Sequence, residues 1–163
     1  EGTYPLPEAQ LDRFMFNVLI DYPSFEEEHS IVVSNTEMIE NKINNIIKKS
    51  ELLDFQQLVL NVPVSENVID YSVNLVQSTR PNDSKNKTTL KYIEWGAGPR
   101  ASSFLVLAAK AKAILAGKAT PDIDDVNSVV KSVLRHRIIL NFNAEAEGIK
   151  TDNVLDELVK SNV

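Results

Sequence analysis

Two amphipathic helices in immediate succession constrain this chain more than any other feature. Pro99 suits the first turn of a helix, where its missing N–H costs nothing, and behind it Phe104, Leu107, Ala108, Ala111, Ile114 and Leu115 recur at helical spacing. Gly117 is placed to end that helix, because glycine enters the left-handed conformation of a helix terminus without steric cost. Thr120-Pro121 then reads as a cap and a first-turn proline opening a second helix, whose apolar face is Ile123, Val126, Val129, Val130, Val133 and Leu134. Asp122 and Asp124 near its start and Arg135 and Arg137 near its end complement its dipole. Two such helices in a row predict an α-helical bundle.

The flanking sequence extends that picture. Ser24 can cap a helix with Glu27 completing a capping box, and Glu26, Glu27 and Glu28 suit its positive end. Ile39, Ile43, Ile46 and Ile47 also fall at helical spacing, but the asparagines and lysines around them leave that segment ambiguous. Ser50 or Asp54 can start a helix through Leu60, and Ser65 can cap one carrying Val68, Ile69, Ser72, Val73 and Val76 until Arg80-Pro81 stops it. Asn82 to Thr89 reads as a polar loop, and a last helix from Thr151 or Asp152 carries Val154, Leu155, Leu158 and Val159. At the other end, Phe14 to Ile20 is short, apolar and β-prone, with Asp21-Tyr22-Pro23 closing it. One strand cannot bury itself, so the expectation is a strand whose sheet partners lie outside this sequence. The fold predicted is mainly α: a helical bundle over residues 24–163, preceded in residues 1–23 by one strand and loop at the edge of an α/β core.

Composition bounds the function. The chain has 163 residues, 43% of them hydrophobic and 25% charged, enough for a substantial core. A net charge of -6 disfavours a generalised nucleic-acid or anionic-membrane surface. There is no cysteine, and His29 and His136 are too few for a convincing metal centre, so no metal site is expected. The opening Glu1-Gly2-Thr3-Tyr4-Pro5 does not read as a signal peptide, and no run of about 18 apolar residues could span a bilayer; a cytoplasmic location is the expectation.

Two arginines stand where chemistry could occur. Arg13, at the mouth of the predicted strand, lies where loop residues of open α/β sheets meet ligands, and a guanidinium can bind phosphate oxygens bidentately. A surface ion pair with Asp12 or Glu8 is the plainer alternative. Arg100, beside Pro99, can reach an anion that a helix N-terminus already favours. Gly96-Ala97-Gly98 lets the backbone approach a ligand closely, or merely turns the chain. The remaining candidates weigh toward structure: His136 between two arginines as a dipole complement, His29 as a solvent-facing helical residue, and Trp95 as a hinge or core aromatic more than a stacking platform.

Four pieces together carry a family resemblance. Glu1-Gly2-Thr3-Tyr4-Pro5-Leu6-Pro7-Glu8-Ala9-Gln10-Leu11-Asp12-Arg13-Phe14 resembles the segment that follows sensor 1 in MoxR-type AAA+ ATPases, and Gly96-Ala97-Gly98-Pro99-Arg100-Ala101-Ser102 resembles their sensor 2 motif, with glycine at 98 where serine is usual. Thr120 to Val126 and Val133-Leu134-Arg135-His136-Arg137 are similar to the closing helices of that family's lid. The resemblance spans essentially the whole chain. It implies that Arg13 is an arginine finger acting on a neighbouring subunit's ATP, that Arg100 is the sensor 2 residue contacting nucleotide phosphate, and that residues 24–163 form an AAA+ lid. It also implies ATP and magnesium as cofactors of the intact protein, a homo-oligomeric ring (a hexamer), and chaperone-like assembly or activation of client proteins, von Willebrand factor A domain proteins among them. The Gly-Lys-Ser/Thr phosphate loop, the acidic magnesium-binding strand and the sensor 1 asparagine are not in this sequence, so the chain alone is expected to hold no nucleotide and hydrolyse none. The competing readings are a helical interaction module without ATPase chemistry and the ATPase subunit of magnesium chelatase, which shares the Leu-Asp-Arg-Phe element.

Overall fold

The computed structural model describes residues 4, 6–36, 44–82 and 84–162. Residues 37–43, with Ile39 and Ile43, and the motif residues Glu1, Gly2, Thr3 and Pro5 lie outside them. The described elements run α1 (Glu8–Leu11), α2 (Phe25–Thr36), α3 (Lys49–Asn61), α4 (Glu66–Ser78), α5 (Lys87–Tyr92), β1 (Ile93–Trp95), α6 (Pro99–Leu115), α7 (Ile123–Leu134), β2 (Ile139–Leu140), α8 (Phe142–Ala146) and α9 (Thr151–Ser161). The fold is mainly helical, as the paired periodicities predict. The chain divides into two compact units, one of Glu1–Asn17 with Gln57–Val163 and the other of Val18–Gln56.

Within the smaller unit, Ser24 and Glu27 form the predicted capping box: the Ser24 N–H donates to the Glu27 carboxylate at 2.8 Å and the Glu27 N–H to Ser24 Oγ at 3.3 Å. Neither α2 nor α3 buries a residue. α3 begins at Lys49, before Ser50 and Asp54, because the Glu51 carboxylate accepts from the Lys48 N–H at 2.8 Å and secures an earlier first turn.

The larger unit is built on α6, which packs against both α4 and α7. Its buried face is Ala101, Leu105, Ala108, Ala109 and Ala113, whereas Leu115, expected on the apolar stripe, is exposed. This helix carries apolar residues on more than one side, and packing selects the side whose alanines let two neighbouring helices approach closely. The core continues through Leu75 and Val76 of α4, Val130 and Val133 of α7, and Leu155 and Leu158 of α9. Gly117, at φ +72°, ends α6 as predicted.

Three further expectations are corrected. The second helix of the pair starts at Ile123, not at Thr120-Pro121, because Asp122 and Asp125 cap it reciprocally, each accepting the other's N–H at 3.0 Å. Lys118, 2.8 Å from Asp122, and the Asp125 N–H hold the Asp122 carboxyl down to about 2. The 82–89 stretch is not loop throughout, since the Asn86 side chain accepts from the Thr88 N–H at 2.9 Å and starts α5. The predicted strand at Phe14–Ile20 is not formed: residues 16–20 belong to no helix or strand, and Phe14, Phe16, Val18, Leu19 and Ile20 are exposed. The carbonyls of Phe14, Met15 and Asn17 that a sheet neighbour would use are engaged by side chains at the end of α7. The sheet that does form, β1 antiparallel to β2, is too short to show a period in the sequence.

Gly96 is fixed by packing. A Cβ there would lie 2.3 Å from the Thr79 carbonyl oxygen and 2.8 Å from the Arg80 Cα, both backbone atoms with no room to retreat. The contact is cemented by the Ala97 N–H donating to Thr79 Oγ1 at 2.9 Å and Arg80 Nε donating to the Ala97 carbonyl at 3.0 Å. Gly96→Ala is therefore expected to destabilise the chain by about 1–3 kcal/mol, seen as a lower urea midpoint, while Gly98→Ala, with open space around it, changes it far less.

Candidate functional site

Pro7 starts the one-turn helix α1, its carbonyl accepting from the Gln10 N–H at 2.8 Å and the Leu11 N–H at 3.1 Å, and the turn runs on until the Phe14 N–H reaches the Leu11 carbonyl at 3.1 Å. This tight path sets successive residues in different environments. Asp12 points toward the end of α7, whereas Arg13 is exposed and makes no side-chain hydrogen bond or ion pair among the described residues. The alternative, a surface pairing with Asp12 or Glu8, is not formed, and Asp12 is engaged elsewhere.

Arg137 is the residue that engages it. Its side chain is only 1% exposed, beyond the last turn of α7, with the guanidinium carbon 5.2 Å from the Phe104 ring centroid. Nε donates to Asp12 Oδ1 at 3.1 Å, Nη2 to the Asp12 carbonyl at 2.9 Å and the Phe14 carbonyl at 2.5 Å, and Nη1 to the Met15 carbonyl at 3.4 Å and the Val133 carbonyl. Burial pushes the Arg137 pKa down and Asp12 pushes it back up, with Arg100 opposing. Arg135 repeats the arrangement, gripping Asp152 with a bidentate fork at 3.1 and 2.8 Å and reaching the Asn17 carbonyl at 3.2 Å, while the Asn17 N–H donates to the Ser132 carbonyl at 2.8 Å. Residues 12–17 are thus strapped to the end of α7.

Arg100 completes the cluster from α6. Gly98 is the N-cap and Pro99 the first residue, so no side chain caps the first-turn donors. Arg100 Nη1 donates to Asp12 Oδ2 at 2.5 Å, giving one carboxylate two guanidinium partners, one from the start of α6 and one from the turn after α7. The Gly96–Gly98 approach, held by Thr79 and Arg80, fixes the start of this helix. Of the two arginines singled out from the sequence, Arg100 pairs with the residue immediately before Arg13, and Arg13 itself makes no such contact among the described residues. A cavity of 340 Å³ opens at Asp12, lined by Glu8, Asp12, Trp95, Gly98, His136 and Arg137 among others. Trp95 stands at 68% exposure and is not a core aromatic.

His136 shares this junction. Its Nε2 lies 3.0 Å from the Phe14 carbonyl and therefore carries the proton, leaving a buried Nδ1 without a hydrogen-bond partner among the described residues. Burial lowers its pKa first, the Phe14 carbonyl and Asp12 raise it, and Arg137 and Arg135 lower it further. Because the folded pKa lies below the ordinary 6.5, the unfolded chain takes up the proton first as pH falls. Stability is expected to decline as pH drops through 6.5 and to level off below the folded pKa, and His136→Gln should flatten that part of the curve in urea titrations at successive pH values.

Residues 87–158, from α5 through most of α9, match the AAA lid domain family. Chaperone MoxR1 of Mycobacterium tuberculosis is 35% identical over 162 residues, 99% of this chain and 43% of its own length. The chain belongs to the MoxR family of AAA+ ATPases. The Bacillus subtilis protein YeaC, described as uncharacterised, is 35% identical over 163 residues, 99% of this chain and 48% of its own. A crystal structure of a protein assigned as an ATPase from Cytophaga hutchinsonii ATCC 33406 superposes with a TM-score of 0.89 at 36% identity, covering 98% of this chain and 49% of that one. The MoxR-family chain thus spans about half the length of the relatives it matches. The lid match contains Arg100, Arg135 and Arg137, while Asp12 and Arg13 lie outside it. Among the described residues of this MoxR-family chain no helix is long and apolar enough to cross a membrane.

Sequence reasoning missed Asp12, Arg135 and Arg137 as members of the cluster. The Arg135-His136-Arg137 run offers itself as a helix-dipole complement, and only the folded path of residues 12–17 shows that its donors serve distant carbonyls. The one available signal was Asp12 itself, a carboxylate set between Leu11 and Arg13 just ahead of an apolar run.

Proposed function

We propose that this chain is the C-terminal portion of a ring-forming, MoxR-type ATPase in which ATP binding and hydrolysis drive chaperone-like assembly or activation of client protein complexes. In this reading residues 1–23 are the edge of the nucleotide-binding core and residues 24–163 the lid. Arg13 is the finger that reaches a neighbouring subunit's ATP, and Arg100 is the sensor 2 residue. Phosphoryl transfer spreads negative charge over the γ-phosphate oxygens, and fixed cations there stabilise the transition state beyond the ground state. The rest of the intact protein holds ATP and magnesium; this segment, without a phosphate loop, neither binds nucleotide tightly nor turns it over. The ring is a cytoplasmic hexamer, and proteins with von Willebrand factor A domains are among its clients.

The observation that carries the reading is the pairing of Arg100 with Asp12, which ties the start of α6, where no side chain caps the first-turn donors, to the Leu-Asp-Arg-Phe turn that bears the exposed Arg13. Kinship with a protein named Chaperone MoxR1 supports the chaperone-like role. In the intact protein, Arg100→Ala is expected to weaken nucleotide binding by about tenfold, since a charge-assisted contact to phosphate contributes about 1.5–3 kcal/mol before competition with water and salt. Lid amides should also lose most of their nucleotide-dependent protection from hydrogen exchange. Equal affinity and equal protection in mutant and wild type would make Arg100 a structural residue.

A further inference from the structure

We infer that Asp12 is a positioning residue that holds Arg100 in a waiting position and competes with phosphate for it. The inference rests on the reading of Arg100 as a phosphate contact and goes beyond it by naming the group that phosphate must displace.

The two oxygens of Asp12 are divided between unequal partners. Oδ1 accepts from Arg137, whose side chain is buried, and Oδ2 accepts from Arg100, whose side chain is 48% exposed. The Arg137 bond is one of five that the guanidinium makes, so it cannot leave without abandoning four backbone carbonyls. The Arg100 bond has no such backing; among the described residues it is the only hydrogen bond that side chain makes. An exposed ion pair is weak, and phosphate oxygens offer the same guanidinium a denser negative charge. When Arg100 leaves, Asp12 still has Arg137, so neither a carboxylate nor a buried arginine is orphaned by the exchange. The cluster is built to lose one of its contacts and keep the others.

Charge bookkeeping points the same way. Arg100 lowers the pKa of Arg137, the mark of two cations close enough to repel, and Asp12 is the carboxylate that lies between them. Removing its charge leaves that repulsion unbalanced and makes an incoming anion the natural substitute. Asp12 therefore restrains the affinity of Arg100 for phosphate while setting where its guanidinium waits.

The test uses the intact protein and calorimetric titration with magnesium-ADP. Asp12→Asn keeps an acceptor for Arg137 and removes the charge; it is expected to tighten binding about two- to fivefold, the range of an exposed ion pair. The same substitution in an Arg100→Ala background should change nothing, and Asp12→Glu should give back the weaker binding. A residue that merely braced the fold would not produce tightening that depends on Arg100. Unchanged or weaker binding in Asp12→Asn, with Arg100→Ala still weakened, would overturn the role of Asp12 and leave the phosphate reading of Arg100 standing. Equal tightening with and without Arg100 would also overturn it, by showing a general charge effect. Arg100→Ala with wild-type affinity would remove the underlying reading and this inference together. Should Asp12→Asn fail to fold, Asp12→Ser, whose hydroxyl can still accept from Arg137, carries the same comparison.

Discussion

Arg13→Ala in the intact protein is expected to lower ATP turnover by about 10³-fold or more, on the order of 4 kcal/mol in the barrier, with little change in nucleotide affinity. The asymmetry follows from what a finger does: it meets charge that develops on the transferring phosphoryl group, so its loss raises the barrier without weakening ground-state binding to the same degree. The structure removes the simplest competing explanation. Asp12, the neighbouring carboxylate, is committed to Arg137 and Arg100, and Arg13 makes no side-chain ion pair among the described residues. Its truncation should therefore leave stability nearly unaltered, and a loss of turnover cannot be ascribed to a broken surface pair, which would be worth about 0–1 kcal/mol in any case. Mixed rings decide whether the effect crosses subunits. Arg13→Ala subunits and subunits with the phosphate-loop lysine replaced are each inactive alone, but an interface joining a sound phosphate loop to a sound Arg13 regenerates one working site. Recovered activity on mixing supports action in trans; full activity of Arg13→Ala alone eliminates the assignment.

The helices were legible where one residue type settles a local question. Ser24 with Glu27 announces a capping box that forms as read, and Gly117 ends α6 with the left-handed turn that its type permits. The α6–α7 pair was legible as a pair, but the buried side of α6 was not. Periodicity reports the apolar residues and is silent about which of two apolar sides must admit two close neighbours, and Ala108 and Ala109 answer that through size. α7 misled by two residues for a related reason: Thr120-Pro121 and Asp122 are all acceptable starts, and the choice falls to Asp122 because Asp125 returns its hydrogen bond. Phe14–Ile20 misled most. Its β-prone composition is real, yet β structure needs a neighbour for its backbone, and Phe14, Met15 and Asn17 spend their carbonyls on arginine and histidine side chains more than a hundred positions later. The site shows the same division. Arg13 and Arg100 could be singled out from their local settings, Pro99 above all. Asp12 and Arg137 could not, since what makes them members is a contact 125 residues long.

That long contact has a measurable weight. Arg137→Ala is expected to destabilise this chain by about 3–5 kcal/mol, the range for breaking a buried charged network by removing one partner. The mutant loses five hydrogen bonds, leaves the carbonyls of Asp12, Met15 and Val133 short of a donor and that of Phe14 with His136 alone, and opens a void beneath the Phe104 ring. At a urea dependence of about 2 kcal/mol per molar, the midpoint should fall by about 2 M. Trp95, the one tryptophan in the sequence, lines the same cavity as Arg137 and gives a fluorescence signal for it. Arg137→Lys should recover little, because an ammonium cannot spread over carboxylate and carbonyls as the planar guanidinium does. Arg135→Ala should cost less, about 1–2 kcal/mol, since its side chain and that of Asp152 are partly exposed. The alternative, that Arg137 only complements the dipole of α7 as its position after the last turn suggests, predicts a loss of about 0.3–1 kcal/mol that added salt would erase. A loss several times larger, and indifferent to salt, is what a guanidinium tying residues 12–15 to the end of α7 requires.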